Sequence, residues 1–140
     1  MNANTISKID TLVKKVYYTH ERFNVEAAFA LLYHKEPLSV GELSKFIRIS
    51  DEVIALDETC YFIVFQFTSE EKAYKASQNI IHKLDQYYNA HSECFIAVDS
   101  LNINKSPQNI LCRLKQIITL ARQNSSTRVE TEDVLDKLQC

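Results

Sequence analysis

The spacing of apolar residues changes several times along the chain, and each change predicts a new element. Over residues 5–23 apolar positions recur at intervals of three and four, which predicts an amphipathic helix with a heptad seam. The seam consists of Ile6, Ile9, Val13, Val16, His20 and Phe23. Such a helix can dock on its own domain or pair with another copy of the chain, and both hypotheses remain open at this point.

The middle of the chain predicts three strands and a short helix. Residues 26–34 form a nearly continuous apolar run, which is typical of a buried strand, and Pro37 follows it. Residues 40–47 can form two turns of helix. Residues 52–56 and 60–67 are rich in β-branched and aromatic side chains, and only three residues separate them. These two segments therefore predict a β-hairpin.

The remaining residues predict a long helix, a strand and a second helix. Thr68 and Glu71 have the spacing of a capping box before a helical apolar pattern. Residues 93–99 predict a fourth strand, and Ser106 with Pro107 predicts the start of the next helix.

Two shorter elements are expected near residue 130. Residues 128–130 predict a short strand, and Thr131 is positioned to cap a last short helix through Leu138.

This order of elements is the βαββαβ arrangement of the ferredoxin-like superfold, preceded by one helix. We therefore expect an α+β fold, with an antiparallel sheet and helices packed on it. We expect one domain overall, with residues 1–24 as the N-terminal helix and residues 25–140 as the α+β unit. A superfold of this kind hosts many functions and implies none.

Composition excludes several function classes. The formal net charge is −2, which disfavours nucleic-acid binding. The only glycine is Gly41, so no glycine-rich phosphate loop can form. The first ten residues lack a signal-peptide pattern, and no apolar run is long enough to cross a bilayer, so we expect a cytoplasmic protein without membrane contact.

The four cysteines and four histidines do not suggest a metal site. Cys60, Cys94, Cys112 and Cys140 form no CxxC pair, and the histidines fall on different predicted elements. Cys94 and Cys112 lie among apolar residues and are predicted to be core residues. We expect neither a bound metal nor a cofactor.

Four segments in sequence carry a family resemblance. They are RISDEVIALDETCYFIVF, TSEEKAYKASQNIIHKL, CFIAV and SPQNILCRLKQIITLARQNSSTRV. In order and spacing, residues 48–129 resemble the GGDEF domains of diguanylate cyclases, whose catalytic domain elaborates a ferredoxin-like core. The resemblance implies a role in bacterial signalling through cyclic di-GMP.

The family's signature turn aligns with five residues that depart from its GG(D/E)EF pattern. These residues are Asp57, Glu58, Thr59, Cys60 and Tyr61. The resemblance implies glycines at the first two positions, because only a residue without Cβ lets the backbone approach the nucleotide closely. Thr59 replaces the metal-binding acid and Cys60 its acidic neighbour.

The family's second metal carboxylate is also missing. The resemblance places it at the end of the first strand, where this chain has Tyr33, His34 and Lys35. The stretch between Tyr33 and Arg48, which helps to bind the base in the family, is shortened to about a dozen residues. Phosphoryl transfer depends on metal ions that neutralise developing charge. We therefore expect no catalytic residues and no cyclase activity.

An RxxD motif is retained upstream of the signature turn. Arg48 and Asp51 bracket it, and five residues separate it from Asp57. The resemblance implies an inhibitory site for cyclic di-GMP, in which the guanidinium and the carboxylate would bind the guanine or phosphate. The alternative is a solvent-exposed ion pair before a strand.

Part of that site is altered. The long helix has Asn79, His82 and Lys83 where the family often has a second arginine.

Three other chemical hypotheses concern the predicted hairpin. Asp57 with Glu58 could act as an acid–base pair or simply form a polar turn, and Cys60 could be a nucleophile. The alternating aromatic face could stack RNA bases or pack in the core, and we favour the core. That face consists of Tyr61, Ile63, Phe65 and Phe67.

The leading functional hypothesis is an inactive GGDEF-like domain that binds a protein partner. A homodimer through the N-terminal helix is part of the same hypothesis. The alternatives are a cyclic di-GMP receptor that uses Arg48 and Asp51, an enzyme of unrelated chemistry on a ferredoxin-like core, and a purely structural dimeric partner.

Overall fold

The computed structural model describes residues 2–124 and 127–135. The elements in chain order are α1 (Ala3–Phe23), β1 (Ala27–His34), α2 (Val40–Leu43), a first 3₁₀ helix (Ser44–Phe46), β2 (Glu52–Ala55), β3 (Cys60–Gln66), α3 (Glu70–Tyr88), β4 (Cys94–Ser100), α4 (Pro107–Asn124), β5 (Val129–Thr131) and a second 3₁₀ helix (Glu132–Leu135). Each predicted strand is present, with bounds that differ by at most one residue.

The five strands form one sheet in the order β2-β3-β1-β4-β5. The pairs β2–β3, β3–β1 and β1–β4 are antiparallel, whereas β5 runs parallel to β4. The first four strands therefore have the ferredoxin-like arrangement that the sequence predicted. The fifth strand makes the sheet mixed instead of purely antiparallel.

The sheet is covered on both faces because its central strands are apolar on both sides. In β1, Phe29 and Leu31 face a core shared with α1 and α4. Ala28, Ala30 and Leu32 face a second core shared with α2 and α3. This alternation follows from the two-residue period of a strand.

Helix α1 docks on its own domain through the middle of the predicted seam. Ile9, Val13 and Val16 are buried in the core that includes α4. The two ends of the seam are different, because Ile6 is 42% and Phe23 is 63% exposed. Self-docking thus accounts for the central turns of the helix only.

The predicted start of the long helix is wrong by one residue. Ser69 is the N-cap of α3, and its side chain accepts a hydrogen bond from the Lys72 amide. Thr68 instead donates its hydroxyl proton to the Gln66 carbonyl. The Thr68 hydroxyl also contacts the Arg48 guanidinium, and this tertiary contact competes with helix capping.

The predicted burial of Phe67 is also wrong. It was predicted to lie on the buried face of the hairpin, but it follows the end of β3 and is mostly exposed. Its φ of 55° is in the left-handed region, which turns the chain out of the strand before Phe67 can reach the core. Tyr61, Ile63 and Phe65 are buried, so the core interpretation is confirmed for them.

The other helix caps agree with the sequence. The Ser106 hydroxyl accepts from the Asn109 amide at 3.1 Å, and the Thr131 hydroxyl accepts from the Asp133 amide at 3.4 Å. The predicted continuation of the last helix to Leu138 lies outside the described residues, as does Cys140.

The cysteine and membrane predictions can be compared with the same structure. Cys94 is buried as predicted, but Cys112 is on the exposed side of α4, so its assignment to the core was wrong. None of the helices described is long and apolar enough to cross a bilayer.

Candidate functional site

The side chain of Asp57 closes the turn between β2 and β3. Asp57 accepts hydrogen bonds on one carboxylate oxygen from the amides of Thr59 and Cys60, both at 2.8 Å. Such Asx turns are favoured by Asp because its short side chain reaches backbone donors two or three residues on. Asp57 and Glu58 are exposed, as a polar turn requires.

Tyr61 connects this turn to the segment that follows β1. Its buried hydroxyl accepts from the Leu38 amide at 2.9 Å and lies within donating distance of the carbonyls of Leu38 and Glu58. Burial is the main reason that the pKa of Tyr61 is raised. The hydroxyl therefore keeps its proton and serves as a structural donor and acceptor.

Cys60 is in a poor environment for a nucleophile. The thiol is half-buried, and burial followed by the charge of Asp57 raises the pKa of Cys60. Arg122 and Lys115 oppose this shift but do not overcome it. Because the thiolate is the reactive form, the raised pKa argues against nucleophilic catalysis by Cys60.

The end of β1 lies beside the turn. The His34 amide donates to the Thr59 carbonyl at 2.9 Å. The His34 ring is buried, with its Nδ1 2.7 Å from the Glu36 carbonyl oxygen, and it packs 5.2 Å from the ring of Tyr88. An imidazole thus lies at this strand end, next to a Tyr33 ring that is covered by the Arg122 guanidinium at 4.1 Å.

The chemistry of these donors does not suit a divalent cation at the turn. Mg²⁺ is bound mainly by carboxylates, phosphates and water. Here Asp57 uses an oxygen to close the turn, Thr59 has a hydroxyl, and β1 ends in aromatic side chains. Among residues 2–124 and 127–135, no group of three or more His, Cys, Asp or Glu side chains could hold a metal ion.

Arg48 and Asp51 form a corner at the opposite end of the same hairpin. The Arg48 guanidinium donates through Nη2 to Asp51 Oδ1 at 2.9 Å and through Nε to Oδ2 at 3.2 Å. Asp51 also accepts from the Gln66 amide at 3.2 Å. Nη2 further contacts the Gln66 carbonyl at 2.8 Å and the Thr68 hydroxyl. This last contact occupies the side chain that was expected to cap α3.

The predicted alternative of a solvent-exposed ion pair is therefore wrong for the acid. The Asp51 side chain is only 2% exposed, whereas Arg48 is 54% exposed. A buried carboxylate needs several donors to offset its lost hydration, and the fold provides them from Arg48 and Gln66. The pair links the β2 and β3 ends of the hairpin.

A cavity of about 280 Å³ adjoins this corner. Arg48 and Asp51 line it together with Asn79 and Lys83 of α3. The fold thus brings together the motif and two of the three helix residues that the sequence placed opposite it. His82, the third, is not part of the lining.

A cluster of charges around the buried Asp99, at the Ser100 end of β4, was not found from the sequence. Asp99 is buried and pairs with Arg113 of α4, which also contacts Glu132 of the second 3₁₀ helix at 2.9 Å. The only available signal was an acid at the end of an apolar strand, because its partners lie far away in sequence.

Comparisons with known proteins give a clear result at the level of structure only. No protein-family model and no curated protein matches the chain. An active GGEEF domain of a Vibrio cholerae diguanylate cyclase superposes with a TM-score of 0.73 and 16% identity, covering 90% of this chain and 95% of that one.

Two structures from Caulobacter crescentus superpose similarly. The GGDEF domain of DgcB in complex with c-di-GMP gives a TM-score of 0.69 with 8% identity, over 89% of this chain and 85% of that one. The coiled coil and GGDEF domain of the same protein, also with c-di-GMP, gives 0.68 with 7% identity, over 87% and 78%. In fold, this chain is therefore a GGDEF-like domain.

Proposed function

We propose that this chain is a catalytically inactive GGDEF-like module of the cytoplasm that regulates signalling by binding a protein partner. The observation that carries the proposal is the turn at Asp57. Its carboxylate closes the turn, and His34 ends the adjacent strand. The sequence resemblance aligns Thr59 with the metal-binding acid of the family. A nucleoside triphosphate at this turn would face the negative side chains of Asp57 and Glu58 instead of a glycine backbone and a bound metal ion.

The surroundings of the turn support the same proposal. The Tyr61 hydroxyl contacts both Leu38 and Glu58, so it joins the short segment after β1 to the turn. Five surface cavities in the described part of the chain are lined by residues other than 57–61. This also argues against an unrelated enzymatic reaction at the turn.

The test is incubation of the purified protein with GTP and either Mg²⁺ or Mn²⁺. We expect no cyclic di-GMP and no metal-dependent release of pyrophosphate. The matched comparison is the variant Asp57→Gly/Glu58→Gly, which supplies the two glycines but no metal carboxylate and should remain inactive. Metal-dependent turnover by the natural protein would overturn the proposal.

A second candidate is a receptor for cyclic di-GMP at the corner of Arg48 and Asp51. The supporting observation is the adjacent cavity, which Asn79 and Lys83 also line. Against it, Asp51 already accepts from Arg48 and from the Gln66 amide, and it is almost fully buried.

Calorimetry with cyclic di-GMP distinguishes the two candidates. Lys83→Ala is the informative variant, because Lys83 lines the cavity without supporting the Arg48–Asp51 pair. Binding by the natural protein that weakens at least tenfold in Lys83→Ala, but not in the distant Lys14→Ala, would support a receptor. No heat at micromolar ligand would reject it.

The two exposed ends of α1 support the homodimer hypothesis. Ile6 and Phe23 stay exposed at the two ends of the helix, while its central seam is buried on the domain. Light scattering of the chain and of the variant Ile6→Ser/Phe23→Ser tests whether these ends associate. A monomer in both cases would reject this hypothesis.

A further inference from the structure

Two cavities adjoin at the end of the sheet away from the Asp57 turn. The larger, of about 620 Å³, is lined by His20, Asn24, Val25, Glu26 and Phe67. The smaller, of about 190 Å³, reaches the first turn of α3 and the end of β4. His20 and Glu26 line both cavities, so together they form one cleft, which we call the Phe67 cleft.

An exposed aromatic ring belongs to this cleft. Phe67 is 62% exposed, and its φ of 55° is in the left-handed region, which bulky residues rarely adopt. Its two neighbours are held by the Arg48 corner, Gln66 through its amide and carbonyl and Thr68 through its hydroxyl. Turning Phe67 back towards the sheet would break these bonds, so the backbone keeps its side chain on the solvent side.

Two carboxyl groups line the same cleft. Glu26, just before β1, is exposed and lines both cavities. Glu70, in the first turn of α3, is half-buried and lines the smaller one. Neither acid forms an ion pair with a lysine, arginine or histidine of the described residues. The cleft therefore offers acidic groups without cations of their own.

The surroundings of Glu70 make the cleft more favourable for a cation. Burial, followed by the carboxyl groups of the second 3₁₀ helix and of Asp99, raises the pKa of Glu70 to about 7. The cations that contact these neighbouring acids, Lys105 and Arg113, are already paired with Asp99 and Glu132. A cation bound in the cleft would offset the repulsion that Glu70 meets when it ionises.

An aromatic face beside a carboxylate is suited to an organic cation. The face of the ring attracts positive charge, and a guanidinium can stack on it while donating to a carboxylate. An ammonium group is a compact, strongly hydrated charge that cannot stack in this way. We propose that the Phe67 cleft binds an arginine side chain of a protein partner, with the Phe67 ring as the stacking surface and Glu26 as the acceptor.

This inference rests on the proposed function as a protein-binding module, and it specifies one contact of the partner. The two can fail separately. A cleft that does not bind arginine would leave partner binding at another surface open, whereas metal-dependent GTP turnover would overturn the proposed inactivity whatever the cleft binds.

The experiment is an amide NMR titration of the full chain with N-acetyl-arginine amide. N-acetyl-citrulline amide is the matched ligand, because it has nearly the same shape but carries an uncharged urea group. The arginine derivative should shift the amides of residues 24–27 and 67–70, and the citrulline derivative should bind about fivefold more weakly or less. Equal binding of the two ligands, or no shifts with either, would overturn the proposal.

Two variants test the proposed contacts. Phe67→Asn removes the ring and keeps a residue that tolerates the left-handed conformation, and Glu26→Gln removes the charge. Each should weaken binding of the arginine derivative about two- to fivefold. Phe23→Asn and Glu21→Gln are the matched controls on exposed positions of α1 outside the cleft lining, and they should leave binding unchanged. Equal losses in the controls would contradict the assignment of the contacts.

Other occupants of the cleft are separated by the same measurement. Tighter binding of spermidine than of the arginine derivative would assign the cleft to a free polyamine and overturn the proposal. Shifts of the same amides that depend on protein concentration alone would assign it to a second copy of the chain, which would overturn the proposal as well.

Discussion

The two ends of the β2–β3 hairpin hold their polar groups in different ways. At the turn, Asp57 accepts from amides two and three residues away and remains exposed. At the other end, Asp51 is buried and accepts from Arg48 and Gln66, which belong to separate segments. The turn is thus a local structure, whereas the corner is a tertiary one.

This difference determines how much the turn and the corner each contribute to the stability of the fold. The side-chain hydrogen bonds of Asp57 reach only to Thr59 and Cys60, so a change at Asp57 is expected to act locally. The corner joins the chain before β2 to the end of β3 and to Thr68, so its loss would affect the fold.

The largest expected effect is at the corner. Arg48→Met removes the guanidinium and leaves the buried Asp51 carboxylate without its main partner. We expect unfolding free energy to fall by about 3 kcal/mol, measured by urea denaturation.

Two variants test the cause of this loss. The double variant Arg48→Met/Asp51→Asn removes both charges and should recover part of the stability, because no unpaired charge is left buried. Arg22→Met, an exposed arginine on α1, should change stability by less than about 0.5 kcal/mol. Equal effects at Arg48 and Arg22 would show that the corner is not a special structural site.

An intermediate effect is expected where the turn contacts the rest of the chain. Tyr61→Phe removes a buried hydroxyl and leaves the Leu38 amide without its acceptor. We expect a loss of about 1–2 kcal/mol in thermal or urea unfolding. Tyr18→Phe, on the exposed side of α1, is the matched control and should be neutral.

The smallest effect is expected within the turn itself. Asp57→Ala removes the acceptor for two amides that are close to solvent, and water can replace it. The expected loss is about 0.5–1 kcal/mol, compared by urea unfolding with Glu58→Ala, which should be near zero. If Asp57→Ala destabilised the protein as much as Arg48→Met, the distinction between a local turn and a tertiary corner would be wrong.

Much of the fold could be predicted because its signals are local. The β-branched and aromatic residues of 60–67 predicted β3, and Ser106 with Pro107 predicted the start of α4. The errors occurred where a distant group competes with a local signal. Thr68 has the pattern of a helix cap but contacts Arg48, and Phe67 continues the alternation but adopts a left-handed conformation.

The same difference between local and distant signals applies to the candidate site. The departures at residues 57–61 are visible in the sequence, and their exposure in a polar turn followed from residue type. The burial of Asp51 could not be predicted, because it depends on where Gln66 and Thr68 lie when the hairpin closes. The cluster of Asp99, Arg113 and Glu132 was equally invisible, since it joins β4, α4 and the second 3₁₀ helix.

By itself, the sequence determined the order of elements, the ferredoxin-like core and the absence of glycines from the Asp57 turn. These properties depend on side-chain period, turn preference and backbone freedom, all of which act over a few residues. Only the tertiary structure decided which charges are buried and which groups face them. Burial and electrostatic pairing depend on distances in space, and those arise only when segments far apart in sequence pack together.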